Sequence, residues 1–308
     1  MGGSGGFFGR SDPDDLAKKI REAEEQSANS EFNSNVNKMI NDLLAYVNDR
    51  PYSEIETHLN TIEQALMSDI EGYIDLKYGG SVAKHTYVDG LSDIDSLAIL
   101  NNSELADYNP KDILSFFYER LKQRLPNTDI SKGQLAVTLN FTDKIQIQIL
   151  PALKTGTGIK IASSNGENNW SSVIKPDKFA EKLRDVNRQN QQKVIPVIKL
   201  AKSIISSLPE KRQITGYHTE SLAIEAFENY SGIKNPKEML KHFFSESSKR
   251  ILAPIKDNTG QSIHVDDYLG ENNSIQRQIV SDSFSQIVRK MQNADGAQQI
   301  SQWKSLLE

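Results

Sequence analysis

The strongest constraint on this chain is the segment YGGSVAKHTYVDGLSDIDSLAIL, which begins at Tyr78. A turn built on Gly80 and Ser81 can bring backbone N–H groups and a hydroxyl against a phosphate. Asp93 and Asp95 lie two positions apart on a predicted strand and therefore point to the same face. Two neighbouring carboxylates repel each other unless a cation lies between them, and Mg²⁺ prefers oxygen ligands that include substrate phosphates. The segment therefore indicates chemistry on a metal-bound nucleotide.

The composition is ordinary for a soluble globular protein, with 37% hydrophobic and 25% charged residues among 308. No run approaches the roughly 20 apolar residues of a membrane helix, so we expect no membrane insertion. The N-terminus lacks the apolar core of a signal peptide, and the absence of cysteine fits a cytoplasmic location. A net charge of −5 argues against stable binding to duplex nucleic acid, although a locally basic nucleotide pocket is compatible with it.

Hydrophobic periodicity predicts an α+β fold with two lobes. A flexible Gly-rich tail (1–11) precedes a catalytic-type lobe with N-terminal helices (12–165), which carries the motif segment, and a helical C-terminal lobe (166–308). In the catalytic lobe we expect helices over 14–27, 32–49, 53–70 and 110–124, and strands over about 93–100, 134–140 and 145–150. In the C-terminal lobe we expect helices over 177–189, 191–208, 216–230, 235–247, 274–293 and 301–307.

The motif segment resembles the signature of the polymerase-β-like nucleotidyltransferases. It is most similar to the branch that includes cyclic GMP-AMP synthase, oligoadenylate synthase and the bacterial cyclic-oligonucleotide synthases. The residues that carry the resemblance are Gly80, Ser81, Thr86, Ser92, Asp93, Asp95, Leu150-Pro151-Ala152, Trp170, Pro176, the apolar helix VIPVIKLAKSII, Tyr217, Glu220 and Leu222. Their order covers roughly residues 35–230. The resemblance implies a small mixed β-sheet lobe with helices, followed by a helical lobe.

The resemblance also implies a reaction and a metal. In this family Mg²⁺, or Mn²⁺ in its place, lies between the carboxylates and a nucleoside triphosphate, and in-line attack at the α-phosphorus releases pyrophosphate. Asp93 and Asp95 would then be the catalytic metal ligands. The Gly80 amide and Ser81 would bind the β and γ phosphates.

One position departs from the family pattern. The family usually supplies a third carboxylate from a strand shortly before Pro-Ala, and the matching residue here is Gln148, with Gln146 on the same face. An amide oxygen can ligate Mg²⁺, but it is neutral and a poor base. Asp143, in the neighbouring hairpin, is an alternative carboxylate ligand for the metal. Three interpretations remain: an active enzyme with a modified metal site, a nucleotide-binding pseudoenzyme, and a site disabled by mutation.

Three residues of the second lobe are further candidates for nucleotide binding. Lys199 and Lys202 lie one turn apart on a largely apolar helix, where lysines of relatives contact the triphosphate. The alternative is that they are core-helix lysines whose charged ends reach solvent. Tyr217 would stack on a base, as its counterpart does in relatives; otherwise it is a core or interface tyrosine.

The leading hypothesis is a template-independent nucleotidyltransferase that makes a cyclic or linear oligonucleotide signal in antiphage defence. Its expected partners are ribo- or deoxynucleoside triphosphates and a separate effector protein that senses the product. A second hypothesis is a nucleotide-binding pseudoenzyme or regulatory binding module, which Gln148 favours. A third is transfer of a nucleoside monophosphate onto a protein or tRNA, as other members of the superfamily do.

Overall fold

The structure is a computed structural model that describes residues 13–48, 52–67, 70–88, 94–163, 168–255 and 265–307. The helices of these ranges are α1 (Pro13–Asn48), α2 (Tyr52–Met67), α3 (Gly80–Ala83), α4 (Pro110–Arg124), α5 (Pro176–Gln189), α6 (Val194–Ser206), α7 (Gly216–Phe227), α8 (Pro236–Arg250), α9 (Ile275–Gly296) and α10 (Ile300–Leu307). The strands are β1 (Gly72–Tyr78), β2 (Ile94–Ser103), β3 (Asp129–Lys132), β4 (Val137–Asn140), β5 (Gln146–Lys154) and β6 (Ile159–Ile161). Short 3₁₀ turns lie between some of these elements.

A mixed sheet forms the first lobe, with the strand order β1-β2-β5-β4-β3 and β6 paired to β5. β2 and β5 are parallel neighbours, and the other pairs are antiparallel. Side chains alternate along a strand, so Ile94, Ala98 and Ile147 enter the core that the sheet shares with α2 and α4. The same alternation places Asp95 and Gln148 on the opposite, partly exposed face.

The second core belongs to the helical lobe, and its buried residues come mainly from α5 to α10. α1 also contributes to it, because Phe32, Val36, Ile40 and Leu44 recur every four residues and form one buried stripe. α1 contacts α6, α8 and α10. The division predicted from the sequence places the N-terminal helices in the catalytic lobe of residues 12–165. α2 packs there, whereas the apolar stripe of α1 packs in the helical core.

The two-lobed α+β fold predicted from the sequence is confirmed, while several element bounds differ. Helix α4 has the predicted bounds, since Asn109 caps its first turn and Pro110 follows. The two helices expected over 14–27 and 32–49 are one continuous helix. Strands β1, β3 and β6 were not predicted. The predicted tail (1–11) lies outside the described residues. Among the residues that the structure describes, no helix is long and apolar enough to cross a membrane.

Candidate active site

The Gly-Ser turn and the end of β2 lie directly against each other. The Gly79 N–H donates to the Asp95 carbonyl oxygen at 2.8 Å. Gly80 begins α3 with φ of +47°, and a Cβ added there would lie 1.7 Å from Oδ2 of Asp95. A side chain at this position would therefore occupy the place of the carboxylate, and positive φ is also unfavourable for L-residues. Glycine thus lets Asp95 approach the turn that carries Ser81.

Asp95 and Gln148 are register partners on the parallel strands β2 and β5. On its other side Gln148 pairs with Thr138 of β4. The position of the expected third carboxylate is therefore next to Asp95 and carries a neutral amide. Asp93, the other predicted metal ligand, lies outside the described residues.

Asp143 is held elsewhere, by a contact with α2. Its Oδ2 lies 2.7 Å from Nε2 of His58, whose ring stacks on Phe141 at 3.7 Å between ring centroids. Asp143 also accepts the N–H of Ile145 at 3.1 Å. Partial burial would raise the pKa of Asp143, but these hydrogen bonds lower it below its ordinary value. Asp143 is thus bound to His58 and is absent from the lining of the cavity described below, and its replacement of the third carboxylate stays a prediction.

A cavity of about 450 Å³ lies where the Gly-Ser turn faces the helical lobe. Its wall from the first lobe consists of Gly80, Ser81, Lys84 and Asp95. Its wall from the helical lobe consists of Lys202, Ile205, Ser206, Gln213, Ile214, Gly216, Tyr217, Thr219 and Glu220. The fold therefore brings five of the predicted site residues into one cavity.

Two predicted residues are not part of that wall. Lys199 is buried on α6, one turn from Lys202, and is absent from the cavity lining within the described part of the chain. Gln148 does not line the cavity either; its register partner Asp95 does. A role of either residue in nucleotide binding stays a prediction.

Four buried polar residues, which we call the interlobe cluster, connect the two lobes at this cavity: Lys84, Thr86, Lys202 and Glu220. All except Thr86 line the cavity. Glu220 is only 1% exposed, and both lysines are 8% exposed. Nζ of Lys202 donates to Oε1 of Glu220 at 2.8 Å and to the Thr86 carbonyl oxygen at 3.0 Å. Lys84 forms an ion pair with Oε2 of Glu220, and the Thr86 hydroxyl donates to Oε1.

The charges of the interlobe cluster favour an anion in the cavity. Burial alone would raise the pKa of Glu220, but Lys202 and Lys84 hold that pKa below its ordinary value. Burial lowers the pKa of Lys202, and the attraction of Glu220 offsets this only in part. Within the cluster, two ammonium groups around one carboxylate leave one excess positive charge beside the turn that carries Ser81; the Asp95 carboxylate of the same wall balances it unless a cation neutralises Asp95.

The ring of Tyr217 lies in the first turn of α7, where the Thr215 side chain accepts the N–H of His218 at 3.2 Å and caps the helix. The ring packs on Phe179 with 4.9 Å between centroids and a tilt of 50°. Nζ of Lys84 lies 5.4 Å from the Tyr217 centroid and 5.0 Å from that of Phe179. The Thr215 cap, the Phe179 ring and the Lys84 ammonium group therefore hold the Tyr217 ring in place. We call the packed rings of Tyr217 and Phe179 the aromatic surface.

Sequence reasoning did not assign any role to three members of the interlobe cluster. Thr86 and Glu220 appeared only as motif positions of the resemblance, and Lys84 appeared only as a residue within the motif segment. A local signal could have identified Lys84 and Thr86, because both follow the predicted phosphate-binding turn closely in the sequence. Their partner on α7 is 134 residues from Thr86 along the chain, a distance that no spacing pattern covers.

Comparison with known proteins gives a family and a set of similar folds. The family model described as the Second Messenger Oligonucleotide or Dinucleotide Synthetase domain matches residues 30–187, just over half of the chain. No curated protein matched. A solved structure of Escherichia coli MS115-1 CdnC with ATP is 18% identical, with a TM-score of 0.58, and the match covers 83% of this chain and 90% of that one.

Two further solved structures show the same fold at low identity. The Bradyrhizobium diazoefficiens CD-NTase CdnG in complex with GTP is 14% identical with a TM-score of 0.61, and the match covers 86% of this chain and 90% of that one. Escherichia coli DncV in its 3'-deoxy GTP bound form is 10% identical with a TM-score of 0.62, and the match covers 94% and 89%. The likeness to these structures extends over both lobes.

Proposed function

This chain belongs to the Second Messenger Oligonucleotide or Dinucleotide Synthetase domain family, a bacterial branch of the polymerase-β-like nucleotidyltransferases, and on that basis we propose that it joins nucleoside triphosphates into a cyclic or linear oligonucleotide signal. One observation carries the proposal beyond family membership. A single cavity brings Gly80, Ser81 and Asp95 of the sheet lobe together with Lys202 and Tyr217 of the helical lobe. Binding of a nucleoside triphosphate requires groups that donate hydrogen bonds to phosphate, a carboxylate, a cation and an aromatic ring.

In the proposed complex the triphosphate lies at the Gly-Ser turn. The Gly80 backbone and the Ser81 hydroxyl bind its terminal phosphates, and the excess positive charge of the interlobe cluster, including Lys202, attracts it. The base stacks on Tyr217, whose ring is already fixed by Phe179. Because these groups are held before the ligand binds, little ordering is needed to position the α-phosphorus for attack.

The residues present fit a hard divalent cation. Asp95 offers a carboxylate directly over Gly80, and Ser81 and Gln148 offer further oxygen atoms nearby. The described residues contain no cluster of three or more His, Asp or Glu side chains suited to a metal, and Asp93 lies outside them. We propose that Asp95 and Asp93 hold Mg²⁺, or Mn²⁺, together with the substrate phosphates. When bound, this ion neutralises phosphate charge and makes the acceptor hydroxyl a better nucleophile.

The second candidate function is nucleotide binding without turnover, and Gln148 favours it. Gln148 stands beside Asp95 as a neutral amide, so it cannot take the acceptor proton as a carboxylate would. The arrangement of Gly80, Ser81 and Asp95 argues for the active enzyme, because the tight approach of Asp95 to the turn serves metal and phosphate binding together.

The biological setting is part of the same proposal. We propose antiphage defence as the setting, because the resemblance to the bacterial cyclic-oligonucleotide synthases implies it. A separate effector protein would sense the oligonucleotide, since a messenger requires a receptor to have an effect. The proposed location is the cytoplasm, where the nucleoside triphosphate substrates are available.

The direct test incubates the protein with each α-³²P-labelled ribo- and deoxynucleoside triphosphate, singly and in pairs, with Mg²⁺ or Mn²⁺. We expect pyrophosphate release and a labelled oligonucleotide; resistance to phosphatase identifies a cyclic product, and sensitivity a linear one. Binding of a nucleotide without pyrophosphate release would favour the pseudoenzyme instead. Label that appears on protein or tRNA would favour monophosphate transfer. Absence of both binding and release would refute the proposal.

A further inference from the structure

Glu220 connects the two lobes through a carboxylate that has almost no contact with solvent. It lies on α7 and is 1% exposed, yet two of its partners, Lys84 and Thr86, lie on the loop that follows α3. Its third partner is Lys202 of α6. A buried carboxylate is unfavourable unless its hydrogen bonds and charges are satisfied, so loss of one partner is felt by the others. The interlobe cluster therefore acts as one unit that fixes the loop against the helical lobe.

The first consequence concerns the phosphate-binding turn. The hydroxyl of fully buried Thr86 donates to Glu220, and its N–H donates to the Ser81 carbonyl oxygen at 2.9 Å. Lys202 adds a bond to the Thr86 carbonyl oxygen at 3.0 Å. Thr86 is thus held on both sides, and the backbone of Ser81 is held through it. A substitution at Glu220 therefore affects the backbone of Ser81 through one intervening residue, Thr86.

The second consequence concerns the aromatic surface. The ion pair with Glu220 fixes Lys84, whose Nζ lies 5.4 Å from the Tyr217 ring centroid and 5.0 Å from that of Phe179. An ammonium group at this distance from an aromatic face is attracted to it. Through Lys84 the same carboxylate therefore also helps to hold the Tyr217 ring, which packs on Phe179, at the cavity wall.

We propose that Glu220 is a positioning residue that couples the phosphate-binding turn to the aromatic surface, so that the triphosphate contacts and the base contact form together. This inference rests on the proposed function and adds how the site is held in its binding geometry. Glu220 acts through Thr86 and Lys84. It does not need to touch the nucleotide itself.

The test compares Glu220→Gln with Glu225→Gln. Glu225 lies on the same helix but pairs with Arg250 at the surface, away from the cavity. Glu220→Gln keeps the shape and removes the charge. The two ammonium groups left without a carboxylate would by themselves favour the triphosphate, but we expect the loss of positioning to outweigh this effect and the Kd of a fluorescent ATP analogue with Mg²⁺ to rise about 10-fold. Glu225→Gln should change that Kd less than about twofold. Melting temperatures of all proteins, with and without ATP, separate binding from stability.

A lowered melting temperature of Glu220→Gln with unchanged nucleotide affinity would mean a merely structural role and would overturn the inference. If Glu220→Gln does not fold, Thr86→Val takes its place, because it removes one donor to the carboxylate without leaving two unpaired ammonium groups. We expect about tenfold weaker ATP binding from Thr86→Val. Unchanged binding would again overturn the inference.

A double-mutant cycle tests the coupling itself. If Glu220 acts through Thr86, the combined variant should lose less affinity than the product of the two single losses. Strictly multiplicative losses would contradict the proposed connection. These outcomes differ from a failure of the proposed function. If the wild-type protein binds no nucleoside triphosphate, the proposed function is refuted. Wild-type binding with unaffected variants refutes only the coupling.

Discussion

The close approach of Asp95 to Gly80 makes one substitution decisive, Gly80→Ala. The added Cβ would lie 1.7 Å from Oδ2 of Asp95, far inside an ordinary contact, so the carboxylate must move by more than about 1 Å. Its φ of +47° adds backbone strain of about 1–2 kcal/mol for an L-residue. We expect a fall in melting temperature of a few degrees. We expect the turnover number to fall about 100-fold, because a displacement of this size at a reacting group has such an effect.

The neighbouring glycine provides the matched control, Gly79→Ala. Gly79 has φ of −113°, and a Cβ there would meet the Leu97 side chain at 3.4 Å and both the Cβ and the carbonyl oxygen of Asp95 at 3.5 Å, all ordinary contacts. We expect turnover within about twofold of the wild type. The assay is initial-rate pyrophosphate release at saturating nucleoside triphosphate and Mg²⁺, with melting curves of each protein. Full activity of Gly80→Ala, or an equal loss in Gly79→Ala, would refute the argument that Gly80 gives room to the carboxylate.

Three further predictions concern the metal site, the base contact and the pH dependence of folding. Gln148→Glu places a second carboxylate beside Asp95, so the Mg²⁺ concentration for half-maximal turnover should fall severalfold; an unchanged Mg²⁺ dependence would contradict this. Tyr217→Ala should raise the KM for the triphosphate about tenfold while Tyr217→Phe keeps it, since the ring and not the hydroxyl stacks on the base. Burial lowers the pKa of His218 from 6.5 to about 4, although Asp266 raises it in part. The unfolded chain therefore takes up a proton first as the pH falls from 6.5 to 4, and folding stability should drop by about 3 kcal/mol over that window. Urea unfolding at pH 7 and pH 4.5 measures this drop, and His218→Gln should reduce it; an equal drop in both proteins would contradict the assignment.

Local signals predicted the parts of the fold that depend on local chemistry. The bounds of α4 followed from the helical spacing of its apolar residues, and the structure shows that Asn109 and Pro110 provide its cap and first helical residue. The strands of the central sheet that carry Asp95 and Gln148 were also found, because their residues alternate between core and surface. The family resemblance implied that Ser81 and Tyr217 both bind the nucleotide, and the structure places both residues in the lining of one cavity.

Other parts depend on partners that are remote in the sequence. The four-residue strand β3 and the three-residue strand β6 are stable only through their pairing with β4 and β5, which no local pattern reveals. The apolar stripe of α1 packs against the helical lobe, in which Lys237, a hydrogen-bond partner of Asn37, is 200 residues away along the chain. The bond between Thr86 and Glu220 is of the same kind, since a buried threonine and a buried glutamate are each ambiguous alone.

The central claim is that the cavity between the lobes carries out metal-dependent nucleotidyl transfer with Asp95 as a required carboxylate. The most direct measurement is Mg²⁺-dependent pyrophosphate release from each ribo- and deoxynucleoside triphosphate by the wild type, Asp95→Asn and the control Asp143→Asn. Asp143 is bound to His58 and stands apart from the cavity. We predict release by the wild type and by Asp143→Asn, and a loss of about 100-fold or more in Asp95→Asn. No release from any nucleotide by the wild type, or equal release by Asp95→Asn, would contradict the claim.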